Sequence, residues 1–287
     1  MRDDLQTRVS ARSTRKQVAA FCALTFALTW PVEWIAALGK LGVTGTKMPG
    51  GVQMLAALSP GIAAIVLALR RFDDEGIRRL LGPLLMWRVR PLIYLMAGLI
   101  SFCGCGFAYL FLMALGQRGV PLTSPIDLIM YFLLILPLSA VWEEIGWRGF
   151  VLSRLLRTMT PLGAALLIGV VWGGWHLPIF IAAHTTLEAG LDEFAVMFVG
   201  CIAMSIILTW LYLEAKGSLL ICVLFHNAVN AAGYYFFVGI PGVSLLPLAV
   251  YTAILMVIAT ALVPTLREAR MELTLADPPD GIAVVLG

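Results

Sequence analysis

The 287-residue chain is predicted to be an all-α polytopic membrane protein, with about eight transmembrane helices around a polar intramembrane cavity and one interfacial amphipathic segment. Three observations predict this. The sequence is 60% hydrophobic and 13% charged, with a mean hydropathy of +0.92, too little polar surface for a soluble domain of this length. Apolar runs of about 20 residues recur along it, the length a helix needs to cross a hydrocarbon core roughly 30 Å thick. The short alternating segments of a transmembrane β-barrel do not occur.

The apolar runs fall near 17–38, 51–69, 91–115, 127–153, 161–183, 193–213, 217–239 and 243–264. The first follows a polar, basic head and is broken by Trp30-Pro31, so it reads as a retained helix and not as a cleaved signal. Between the second and third lies "RRFDDEGIRRLLGPLLMWRVR", whose mix of arginine and leucine suits a helix lying along the membrane surface. One membrane domain therefore spans 1–287, with a head at 1–16, a chemically distinctive core at 125–235 and a tail at 266–287.

Charge placement orients the spans. Arg2, Arg8, Arg12, Arg15 and Lys16 lie in the head, and Arg70, Arg71, Arg78, Arg79, Arg88 and Arg90 in the second loop. Arg154, Arg157, Lys216, Arg267 and Arg270 follow the fourth, sixth and eighth spans. All sixteen fall on one side of an eight-span topology, against Lys40, Lys47 and Arg118 on the other. Lysine and arginine collect on the cytoplasmic side, so both termini are expected in the cytoplasm, with a bacterial inner membrane as the expected location. No basic cluster is interleaved with aromatics as nucleic-acid binding requires. Cys22, Cys103, Cys105, Cys201 and Cys222 lie in apolar runs without metal-ligand spacing, and read as small buried hydrophobes.

Within the fourth span, "SAVWEEIGWRGF" carries Glu143, Glu144 and Arg148. Ionisable groups in a span cost several kcal/mol unless they meet a partner or water. Glu144 and Arg148 are four apart with the acid first, the favourable order for a helical ion pair. Glu143 is turned about 100° away and need not share that arginine. A purely structural ion-pair network is the plain alternative. The histidines weigh against it: His176 in "VVWGGWHLPIF" lies within the fifth span and His226 in "CVLFHNAVN" within the seventh. Trp172 shares a helical face with His176, and His226 with Asn230. His184, at the outer end of the fifth span, reads as interfacial, and Glu33 in the first as interfacial or packing. Counting residues from the cytoplasmic ends places Glu143, His176 and His226 in the inner half or near the middle of the membrane, where they could surround one cavity. Pro137 and Pro178 bend their helices and suit its wall.

A desolvated carboxylate is a competent general base for water, and a neighbouring histidine can share that water. A histidine and an asparagine on one helix face can donate to a developing oxyanion. The set suits amide hydrolysis without a covalent intermediate. Ser139 and Cys222 each lie four residues before a candidate, but nothing else marks either as a nucleophile.

"EEIGWR" matches an EExxxR motif, "WGGWH" resembles an aromatic-x-x-x-His motif and "HNAVN" matches HxxxN. Their order resembles the CAAX prenyl protease and bacteriocin-processing family, also called the ABI family, of intramembrane glutamate endopeptidases. The resemblance covers roughly 125–235; Trp172 stands where phenylalanine is commoner. It implies Glu143 as the base activating water with His176 beside it, His226 and Asn230 as oxyanion donors, and Glu144 and Arg148 as organisers of the site. It implies no metal or other cofactor, although histidines and acids are ligands that zinc accepts. The implied partners are membrane lipids and a hydrophobic or lipidated peptide, CAAX-like or bacteriocin-like; eukaryotic relatives remove three residues from prenylated C-termini. Two other readings remain open at this point, a non-catalytic immunity or scaffold protein and a proton-coupled transporter.

Overall fold

A computed structural model describes residues 2–70, 74–116, 124–237 and 245–275, with side chains described for 12–70, 76–116, 124–236 and 245–269. Arg71, Arg118 and the segment 276–287 lie outside these ranges, as do the side chains of Arg2, Arg8 and Arg270. Among the described residues every regular element is helical. The chain is a polytopic membrane protein: among the described residues six helices are long and apolar enough to span a bilayer, and two bent helix pairs, each counted as one span, bring the number to eight.

The elements are α1 (Arg2–Lys40), α2 (Gly50–Ala57), α3 (Ser59–Leu69), α4 (Asp74–Leu81), α5 (Pro91–Ala114), α6 (Pro125–Ile135), α7 (Ala140–Glu144), a π-helical turn (Ile145–Leu152), α8 (Ser153–Leu155), α9 (Pro161–Trp175), α10 (Leu177–Ala183), α11 (Leu187–Glu214), α12 (Leu219–Phe237) and α13 (Leu245–Leu275). Each expected apolar run corresponds to one span or one bent pair.

The two bends differ from the straight rods that hydropathy suggests. The second span turns by 47° at Leu58, just before Pro60, which has no N–H to continue the ladder. The fourth turns by 45° between Ile135 and Ala140, across Pro137. Free backbone carbonyls at such breaks must find donors in an apolar medium. Trp142 Nε1 donates to Pro137 O at 2.9 Å, and Thr29 Oγ1 to Ala56 O at 3.0 Å. The bends bring α3 against α7 and the π turn through small residues, as close helix approach requires. A Cβ on Gly61 would lie 2.9 Å from Trp142 O, and one on Gly146 2.8 Å from Pro60 O. Gly146→Val is therefore expected to cost about 1–3 kcal/mol through overpacking, read as a lower melting temperature of the purified protein.

The basic ends converge as the charge count requires. Arg90 Nη2 pairs with Glu214 Oε2 at 2.7 Å, Ser218 Oγ donates to Met86 O at 2.7 Å, and Arg154 Nε donates to Gln17 Oε1 at 2.9 Å. The head, the second loop and the ends of the fourth and sixth spans thus share one face. The amphipathic helix α4 docks on that face by burying Leu80, whose Cδ1 approaches Gly149 in the π turn. Cys103 departs from the expectation for the cysteines: it is exposed on α5, whereas Cys105, Cys201 and Cys222 are buried and Cys22 half-buried. Glu33 is buried in α1, with its Oε2 unpartnered among the described residues. His184 pairs with Glu193 at 2.8 Å.

Candidate active site

The site is built where α7 becomes the π turn. A π turn replaces i→i+4 bonds by i→i+5 bonds, and such bulges concentrate at functional sites. Here the sequence supplies two glycines, Gly146 and Gly149, both facing close neighbours that a side chain would displace. Carbonyls leaving the turn are taken up locally. Ser153 Oγ donates to Gly149 O at 2.6 Å and Arg154 Nη1 to Phe150 O at 2.8 Å.

Glu144 and Arg148 face each other across this turn, Nη1 to Oε1 at 3.0 Å, and neither side chain is exposed. The same Oε1 accepts from His226 Nδ1 at 2.8 Å. One carboxylate therefore ties the fourth span to the seventh. Glu144 Oε2 and Arg148 Nε and Nη2 are buried without hydrogen-bond partners among the described residues. The guanidinium instead lies over the Trp172 ring, 4.7 Å from its centroid, a cation–π contact that strengthens when desolvated.

Glu143 points elsewhere. Its Oε2 accepts from Trp172 Nε1 at 2.7 Å, and its Oε1 from Ser139 Oγ at a longer 3.3 Å. Trp172 is the hub of the arrangement. Its backbone O accepts from His176 Nδ1 at 2.9 Å, which places a proton on Nδ1, so that in the neutral imidazole Nε2 carries the lone pair. The His226 ring meets the Trp172 ring edge-on at a centroid separation of 5.4 Å. The Glu143 carboxylate lies within electrostatic reach of both imidazoles.

His176 sits at the junction of α9 and α10, where Pro178 follows. Its side chain is half-buried, and so is that of Asn230 on α12, which makes no hydrogen bond among the described residues. Asn227, one residue after His226, is instead structural: its Nδ2 donates to Phe132 O at 2.9 Å and holds α12 to α6. The structure thus brings Glu143, Glu144, Arg148, His176 and His226 around one tryptophan, with Asn230 one turn along α12 from His226.

Two contacts were not legible from residue spacing. The indole N–H of Trp172 on Glu143 crosses between spans, and the pairing of His226 with Glu144 does too. Their only sequence signal was a hydrogen-bonding aromatic four before His176. Among the described residues no group of three His, Cys, Asp or Glu side chains is gathered as a metal would require.

Residues 125–232, which contain all six side chains, match the family model described as Type II CAAX prenyl endopeptidase Rce1-like. Over 106 residues the chain is 29% identical to CAAX prenyl protease 2 of Methanococcus maripaludis. That alignment covers 34% of this chain and 38% of the archaeal protein, so the chain matches well under half the length of that relative. Through residues 125–232, the chain is similar to the CAAX prenyl endopeptidases.

Proposed function

We propose that this protein is an intramembrane, glutamate-dependent endopeptidase that hydrolyses a peptide bond in a prenylated or otherwise hydrophobic peptide. The observation that carries this reading is the asymmetric clamp on Glu143. Trp172 holds Oε2 firmly, while Oε1 has only a long contact to Ser139. Oε1 is the oxygen free to take a proton from water, and His176 offers Nε2 to the same water.

In this mechanism water attacks the scissile carbonyl carbon as Glu143 Oε1 takes its proton. The carbonyl electrons move onto oxygen, and the oxyanion accepts hydrogen bonds from His226 Nε2–H and the Asn230 amide. The C–N bond then breaks, and Glu143 returns the proton to the leaving amine. Glu144 orients His226 through Nδ1 and balances its charge, while Arg148 balances Glu144; both are positioning residues. No cofactor takes part. The site would be reached from the cytoplasmic side or laterally, in a protein of the inner membrane with both termini cytoplasmic. The archaeal relative's name, CAAX prenyl protease 2, supports a prenylated substrate.

Trp172→Phe tests the clamp, because it keeps a ring for Arg148 and His226 but removes the donor. A hydrogen bond to a charged group contributes about 1.5–3 kcal/mol. Steady-state cleavage of a farnesylated peptide should show kcat lowered about ten- to a hundredfold with KM unchanged, alongside a lower melting temperature from the lost bond. A fall in melting temperature with unchanged kcat would assign Trp172 to packing alone.

A further inference from the structure

A cavity lies behind the candidate active site, between α1, the π turn and α9. It encloses about 480 Å³, within the size range of sites that hold small molecules. Val18, Trp147, Val151 and Ile168 are among its apolar walls, and Arg15 and Thr158 are its polar lining groups. No acid lines it.

The polar groups gather at one end. On α1, Arg15 precedes Cys22 by seven residues, about 10 Å of helix, and both line the cleft. Thr158 lies before α9 begins, whereas Val171 is ten residues into that helix, about 15 Å further along. Both helices are spans, so the long axis of the cleft follows the membrane normal. Its charged end lies on the face where the basic loops converge, and its apolar end reaches inward to Trp147, next to Arg148. Arg15 is exposed and has no acidic or hydrogen-bonding partner among the described residues. Arg12 and Lys16 are exposed on the same turn of α1. Ala19 is exposed and Leu167 is 40% exposed, which opens the cleft sideways to the bilayer.

We propose that this cleft is a binding site for a phospholipid with an anionic headgroup. One acyl chain runs along Trp147 and Ile168, and the phosphate meets Arg15. A lipid already in the leaflet has this polarity and direction: an anion at the membrane surface above a chain pointing inward. A zwitterionic headgroup offers the same phosphate but offsets its charge with a choline cation, which repels the basic face around Arg15 and is the basis of the preference. The assignment stands apart from the peptidase reading, since its readout is lipid binding.

The test is native mass spectrometry of the purified full chain after incubation with phosphatidylglycerol or phosphatidylcholine of equal chain length. Wild type should retain one phosphatidylglycerol per chain with about fivefold preference over phosphatidylcholine, the advantage expected for one basic side chain near the surface. Arg15→Ala, at an exposed position that leaves the fold intact, should lose that preference. Arg12→Ala, outside the cleft, should keep it. Val18→Trp, which fills the cleft, should abolish retention of both lipids. Equal retention of the two lipids by wild type, or a preference that survives Arg15→Ala, would overturn the proposal. Displacement of the lipid by a farnesylated peptide would overturn it as well, and would assign the cleft to substrate.

Discussion

Glu143→Gln is expected to reduce peptide cleavage by about 10²–10⁴-fold, the contribution of a general base positioned on its proton. The substitution keeps the volume of the side chain, and the amide oxygen can still accept from Trp172 Nε1, as Glu143 Oε2 does at 2.7 Å. The fold and the melting temperature should therefore survive. What is lost is the capacity of the second oxygen to take a proton and to return it to the leaving amine. Measuring kcat/KM on a farnesylated peptide with purified protein gives the number. If cleavage is lost while a cellular phenotype persists, the protein acts as a scaffold in that setting. If the variant cleaves as wild type does, the base lies elsewhere. Solute uptake into vesicles that depends on Glu143 would favour a proton-coupled transporter.

Arg148→Met is expected to be the most destabilising single change at the site. Arg148 and Glu144 are wholly enclosed, and removing one partner of a buried pair costs about 3–5 kcal/mol because the other charge is left uncompensated. His226 would remain on Glu144 through its 2.8 Å bond, yet one imidazole does not replace a guanidinium. Chemical denaturation of the purified protein in detergent measures this loss. The paired change Arg148→Met with Glu144→Gln should recover much of the stability, since a buried neutral pair carries no uncompensated charge. It should not recover full activity, because His226 Nδ1 would then lack its carboxylate. Stability without activity is the signature that separates the positioning role from a purely structural network. A double variant as active as wild type would remove Glu144 and Arg148 from the mechanism.

Hydropathy made the span count legible because each segment must bury its own backbone groups, a constraint that acts residue by residue along the chain. Charge placement made the shared basic face legible for the same local reason, and the Arg90–Glu214 pair joins two loops assigned to one side by lysine and arginine alone. The spacing of Glu144 and Arg148 carried their contact, although the turn between them is π-helical and not α-helical. Contacts between spans were not legible. That Trp172 reaches Glu143, or that His226 reaches Glu144 across 82 residues, depends on the relative rotation and depth of helices. No single-span pattern encodes that register. The bends at Leu58 and near Pro137 supply it, by tilting half-helices so that Gly61 meets Trp142 and Gly146 meets Pro60. Proline marked where the second bend falls, but not its size or direction.

In the proposed reaction one carboxylate, clamped by an indole between three spans, lets water itself cut the peptide. The direct measurement is mass spectrometry of wild-type protein with a C-terminal peptide farnesylated on the fourth residue from its end, incubated in ¹⁸O-labelled water. The expected products are the peptide shortened by three residues with one solvent oxygen in its new carboxyl group, and a protein of unchanged mass throughout turnover. An uncut peptide, or a protein carrying the acyl fragment, would contradict the account.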